Sequence, residues 1–151
     1  MKDAPLTPIE IKRVEEALSR VPFARLLGIS LGEFRRGEAT LHMDARPELM
    51  QNNGIMHGGA IASLLDTATA FAILTLLDPD QTTATVDLTI HYLRPILHGK
   101  VTAHARVLRS GRRLATITVD VTNDVDELAA TAITTYTKTT YRSKPTAQPL
   151  S

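Results

Sequence analysis

The chain has 151 residues, 43% hydrophobic and 22% charged, with a formal net charge of +1 and no cysteine. That length suffices for one domain with its own core. The balanced charge gives no electrostatic case for nucleic acid or a membrane surface, and the absence of cysteine excludes disulfides and thiol chemistry.

Met1 to Pro5 lacks the apolar core of a signal peptide, so a cytoplasmic protein is expected. Thr7-Pro8-Ile9-Glu10 reads as an N-cap, a proline at the first helical position and an acid in the first turn. The mixture of Ile11, Val14 and Leu18 with charged residues predicts a short amphipathic helix to about Ser19. Pro22 ends it, and Phe23 to Leu27 form a connecting turn or a second short helix. Ile29, Leu31 and Phe34, then Ala39, Leu41 and Met43, alternate with polar or small residues on either side of Arg36-Gly37, which predicts a hairpin. Arg46 to Met56 is broken by Pro47, Asn52, Asn53 and Gly54.

A run from His57-Gly58-Gly59 to Asp78 follows, apolar on nearly every helical face, and between Gly59 and Asp78 its only ionisable side chain is Asp66. Such a run is a buried helix, and a carboxylate inside it needs a partner or a task. The run is about long enough to cross a bilayer. Its acid, hydroxyls and alanines, and the strand patterns after it, mark it instead as a core helix with no membrane role. After Pro79-Asp80, strands are expected over Thr82 to Leu93, Lys100 to Leu108, Leu114 to Thr122 and Leu128 to Thr140, with turns at Ser110-Gly111 and Asn123-Asp124. The expected organisation is a helical extension over 1–22, one α+β domain over 23–141 and a disordered tail over 142–151. One long helix needs cover on all sides. A curved antiparallel sheet gives part of it, and the rest has to come from the N-terminal helix or a second subunit.

The His57-Gly58-Gly59 start, Asp66 within the helix and the strand order together resemble the hotdog-fold acyl-CoA thioesterases, in their PaaI/THEM-like branch. Thr85 to Pro95 resembles the family's strand after the helix, and Ser110-Gly111-Arg112-Arg113-Leu114-Ala115 its turn before the penultimate strand. The resemblance covers about Phe23 to Thr140. It implies a hotdog fold, a curved sheet wrapped round one helix, hydrolysis of acyl-CoA to coenzyme A and a carboxylic acid without a further cofactor, and assembly as a dimer or a dimer of dimers (a homotetramer).

Thioester hydrolysis asks for donors at the carbonyl oxygen and a base or nucleophile at the carbon. Gly58 and Gly59 stand at the helix start, where backbone N–H groups lack intrahelical partners. An oxyanion donor there is worth about 3 kcal/mol. The alternative is that both glycines only allow tight packing. Asp66 is the candidate base or nucleophile. Nine residues put position 66 about 180° round and about 13 Å along the helix from position 57. One helix does not easily present both to the same thioester, and a site shared across a dimer resolves this. The family is known for such sites.

His57 is expected either to orient the loop or donate to the carbonyl, or to be only a satisfied structural residue at the helix start. Many relatives carry Asn six residues before the histidine, and here Gln51 stands there, with Asn52 and Asn53 adjacent. Thr85 falls where relatives place a hydroxyl that positions water. Arg94, Arg109, Arg112 and Arg113 are candidates for the phosphates of coenzyme A, with Arg112 and Arg113 beside Ser110-Gly111 preferred. Asn53 is either a substrate contact or a plain turn residue. Three Phe, three Tyr and no Trp suggest no aromatic-lined pocket; Ala60, Leu64 and Phe71 are the expected lining. The five histidines show no metal-ligand spacing. The rival readings are a non-catalytic acyl-CoA-binding module and a hydratase or dehydratase of the same fold.

Overall fold

A computed structural model describes residues 4–141; the tail expected over 142–151 lies outside them. The elements follow in the order α1 (Pro8–Ser19), α2 (Pro22–Leu27), β1 (Ser30–Arg35), β2 (Glu38–Asp44), a 3-10 turn (Pro47–Leu49), α3 (Gly58–Leu74), β3 (Gln81–Tyr92), β4 (Lys100–Ser110), β5 (Leu114–Thr122) and β6 (Leu128–Thr140). The α1 start carries a full capping box: Thr7 Oγ1 accepts from Glu10 N–H at 3.3 Å, and Glu10 Oε2 accepts from Thr7 N–H at 2.7 Å.

All six strands pair antiparallel in one sheet, in the order β1-β2-β4-β5-β6-β3. The sheet packs on α3, giving the α+β hotdog arrangement. Its helix-facing positions include small residues, among them Ala39, Ala103, Ala105, Ala115, Ala130 and Ala132, all buried. Short side chains let the sheet close on the equally buried Leu64, Leu65, Ala68 and Ala72 of the helix.

Two arginines secure the far end of α3. One Arg13 guanidinium nitrogen donates to the carbonyls of Leu74 (2.9 Å) and Leu77 (2.6 Å), and Arg36 donates to that of Thr75 (3.4 Å). They satisfy acceptors left over by the helix and place positive charge at the negative end of its dipole. The helix thus runs from an open N-terminal end to a clamped C-terminal end. It is not closed on every face: Gly59, Ala62, Ser63, Asp66, Thr67 and Ala70 form an incompletely covered outward stripe. Among the described residues, no helix is long and apolar enough to cross a membrane.

Candidate active site

Asp66 lies on the edge of that outward stripe, half-buried, rather than in the core that its apolar neighbours suggest. Its Oδ1 accepts from Thr85 Oγ1 at 2.8 Å and lies 2.8 Å from the Tyr136 hydroxyl. That hydroxyl is also 2.8 Å from the Asp66 carbonyl and 3.0 Å from Thr69 Oγ1. Thr69 itself donates to the Asp66 carbonyl at 2.9 Å, and the phenol proton is within reach of both that carbonyl and Oδ1, the charged oxygen being the stronger acceptor. Burial pushes the Tyr136 phenol far above its ordinary ionisation range, so it stays protonated and donating. Two donors hold one carboxylate oxygen, and Oδ2 has no partner among the described residues.

The placement of Thr85 depends on an irregularity. Thr85 pairs with Tyr136 and Asp87 with Thr135, so Val86 is an extra residue, a β-bulge. A regular strand would put Thr85 and Leu88 on opposite faces. With the bulge, both line one cavity of about 300 Å³ with Asp66, Ser63 and Thr67.

The start of α3 forms a second group. The preceding loop is braced by hydrogen bonds from Met56 N–H to Ile96 O and from His57 N–H to Leu49 O, both 2.8 Å. His57 is the N-cap, and its Nδ1 accepts from Gly59 N–H at 2.8 Å. An accepting Nδ1 assigns the ring proton to Nε2. The two glycines therefore differ. Gly59 N–H is taken, and a Cβ at Gly59 would stand 2.9 Å from His57 Nδ1. Gly58 N–H has no partner among the described residues. The Tyr92 ring packs on Gly58, where a Cβ would meet it at 3.3 Å, and its hydroxyl donates to Gly58 O at 2.8 Å. Of the two expected oxyanion donors, the structure leaves one available, Gly58. A cavity of about 320 Å³ brings Gly58 together with Gln51, Tyr92 and Arg94.

The other expected residues divide. Arg94 is exposed and 3.6 Å from Glu127. Asn53 sits on the exposed turn closed by Gly54 N–H to Gln51 O (3.2 Å) and lines neither cavity of the single chain. Ser110, Gly111, Arg112 and Arg113 form the β4–β5 turn. Lys138 Nζ donates to Ser110 Oγ at 2.9 Å, and Lys138 pairs with Thr83, two residues along the ladder from the Tyr136–Thr85 pair. That turn belongs to the Asp66 end, Arg94 to the Gly58 end. Leu64 and Phe71 are buried in the core and line neither cavity; the aromatics that do are Phe23 and Tyr92, contrary to the composition-based expectation.

Sequence reading missed Tyr136, Tyr92, Lys138 and Phe23. Tyr136 carried a faint signal as the one aromatic side chain in a run, Ala129 to Thr140, made mostly of Ala and Thr. The 180° separation also applies to position 57 alone: Gly59 and Asp66 are seven residues apart, share the outward stripe, and are separated by about 10 Å of helix rise.

Residues 53–130 match the thioesterase superfamily. The medium/long-chain acyl-CoA thioesterase YigI of Salmonella typhimurium is 31% identical over 131 residues, covering 77% of this chain and 84% of that protein. A thioesterase family protein from Silicibacter pomeroyi superposes with a TM-score of 0.81 at 25% identity, over 87% of this chain and 99% of that one. The PaaI protein of the E. coli phenylacetic acid degradation operon shares the fold, with a TM-score of 0.82 at 23% identity over 89% and 96% of the two chains.

Proposed function

Because the chain belongs to the thioesterase superfamily, we propose that it hydrolyses acyl-CoA thioesters, at a site shared between two copies of the chain. The observation that carries this is Asp66: one oxygen held by Thr85 and Tyr136, the other free, beside an open cavity.

The sharing follows from β3. It is an edge strand of twelve residues with no Lys, Arg or Pro, and Val86 on it is 56% exposed. The other edge, β1, is half as long and carries Glu33 and Arg35. An open β-rich edge is a template for pairing. Antiparallel pairing of β3 with its own copy, about a two-fold near Leu88 and Thr89, lays Tyr92 beside Thr85 of the partner subunit. Tyr92 is bonded to Gly58, and Thr85 to Asp66. The two-fold therefore carries the Gly58 end of one subunit to the Asp66 end of the other. Within one chain the same groups are about 12 Å apart along α3.

In that site the thioester oxygen accepts from Gly58 N–H, assisted by the Gln51 amide and His57 Nε2–H. Asp66 Oδ2 of the partner subunit takes the proton of a water whose oxygen bonds the carbonyl carbon. As the tetrahedral intermediate collapses, the C–S bond breaks and the sulfur recovers that proton. The alternative step is attack by Oδ2 itself, which expels the coenzyme A thiolate and gives an anhydride; water then opens it at the Asp66 carbon and its proton goes to the thiolate. A single turnover in labelled water separates the two, because only that route puts label into Asp66. Arg112 and Arg113, with Lys138, meet the phosphates of coenzyme A.

Subunit mixing tests the reading. Asp66→Asn and a Gln51→Ala/His57→Ala double variant are each inactive as homodimers. Mixed, half the dimers carry one intact site, restoring about a quarter of wild-type activity. Two inactive variants with no recovery on mixing refute the shared site, and near-normal hydrolysis by Asp66→Asn refutes the role of Asp66.

A further inference from the structure

We propose that the groove between α2 and α3 holds the hydrocarbon tail of a straight-chain acyl group, and that Phe23 sets the length of tail it accepts. This rests on Asp66 as the reacting carboxylate. The cavity of about 300 Å³ beside Asp66 adjoins a second of about 310 Å³ that reaches His57 and Leu49; Phe23 and Ser63 line both. The two lie end to end along the outward stripe of α3, with Phe23 at their junction. Phe23 is 53% exposed, yet its helix is firmly placed. Ala24 is buried, Arg46 donates to Leu26 O at 2.7 Å, and Gly28 ends the helix in the left-handed region at φ 70.

The chemistry of the wall selects hydrocarbon over the pantetheine arm of coenzyme A. Ser63 Oγ is spent on Gly59 O (2.8 Å), Thr67 Oγ1 on Ser63 O (2.7 Å), and Gly59 N–H on His57 Nδ1 (2.8 Å). With those protons used, the wall offers no donor to the carbonyl of an amide laid there, which would stay unpaired, whereas a methylene chain against Phe23, Leu27, Leu49, Met50 and Leu88 leaves no polar group unpaired. From Asp66 to Gly59 the two cavities together follow seven residues of helix, about 10 Å, the reach of a straight chain of roughly eight carbons, and the Phe23 ring at their junction limits how much of that length a tail can use. At its far end stand the polar Glu48 and His57, which stop the apolar lining.

The test is kcat/KM over straight-chain acyl-CoAs from about four to about sixteen carbons, for wild type, Phe23→Ala and Phe23→Trp. Each methylene buried in the groove raises wild-type kcat/KM about fourfold, up to the length that fills it. Phe23→Ala moves the optimum to longer chains, and Phe23→Trp to shorter ones. Calorimetric binding of the same series to Asp66→Asn, with and without Phe23→Ala, shows the same length dependence without turnover. A Phe23 effect equal at every chain length, in turnover and in binding, overturns the groove while leaving the Asp66 chemistry standing. A length shift with full activity in Asp66→Asn supports the groove and removes the catalytic reading instead.

Discussion

Removing the Tyr136 hydroxyl isolates what holds Asp66 in place. The side chain is 2% exposed, and phenylalanine keeps its ring and volume, so the surrounding core is preserved. Thr69 still donates to the Asp66 carbonyl. What is lost is one of two donors to Oδ1. A hydrogen bond to a charged acceptor is worth about 1.5–3 kcal/mol, so Tyr136→Phe lowers kcat about 10- to 150-fold with little change in KM. Thr85→Val removes the other donor and falls in the same range. Both act on one oxygen, so the double variant loses less than the sum of the two. The assay is thiol release from acyl-CoA, with urea unfolding alongside to separate activity from stability. A Tyr136→Phe enzyme that unfolds normally and keeps kcat within about twofold of wild type refutes the reasoning. Because burial raises the phenol well above its ordinary 10.0, the wild-type rate shows no loss from tyrosine ionisation as pH approaches that value.

A cation on the open edge disrupts pairing of β3 with its copy: Val86→Lys shifts the protein from dimer towards monomer in sedimentation and removes activity with it, and a variant that stays dimeric contradicts that edge as the interface. The Glu10 carboxyl is drawn down from 4.5 to about 2, first by Arg36 (2.8 Å) and then by Thr7 N–H. Its contribution is full above pH 4.5 and is lost as pH falls towards about 2, so Glu10→Gln narrows the stability difference between neutral and acid pH; an unchanged acid dependence in urea titrations rejects this coupling.

The helix–strand order was legible because each element carries its own period and its own breakers, from the Thr7-Pro8 cap to the alternation in β5. Asp66 was legible because it is the single charge in a long apolar run. Its partners were not. Tyr136 is seventy residues further on, in a strand where it alternates with threonines that serve only the sheet. The bulge at Val86 has no sequence mark, since no Gly or Pro interrupts the run from Gln81 to Tyr92. The difference between Gly58 and Gly59 depends on where the His57 and Tyr92 rings lie, which local spacing does not encode. The cavity lining followed from α2, whose Phe23 reads as part of a connector until α3 is set beside it.

The extra residue in β3 acts as a frame shift in side-chain alternation. Before it, the strand's inward frame supplies a hydroxyl to Asp66; after it, the inward frame supplies Leu88, Ile90 and Tyr92. A strand without that insertion has to choose between the two sets. Deleting Val86 would restore a regular ladder and turn either Thr85 away from the carboxylate or the whole later segment away from the helix. Single-residue length changes at this point therefore exchange entire faces of the strand, whereas substitutions on either side of it alter one contact at a time.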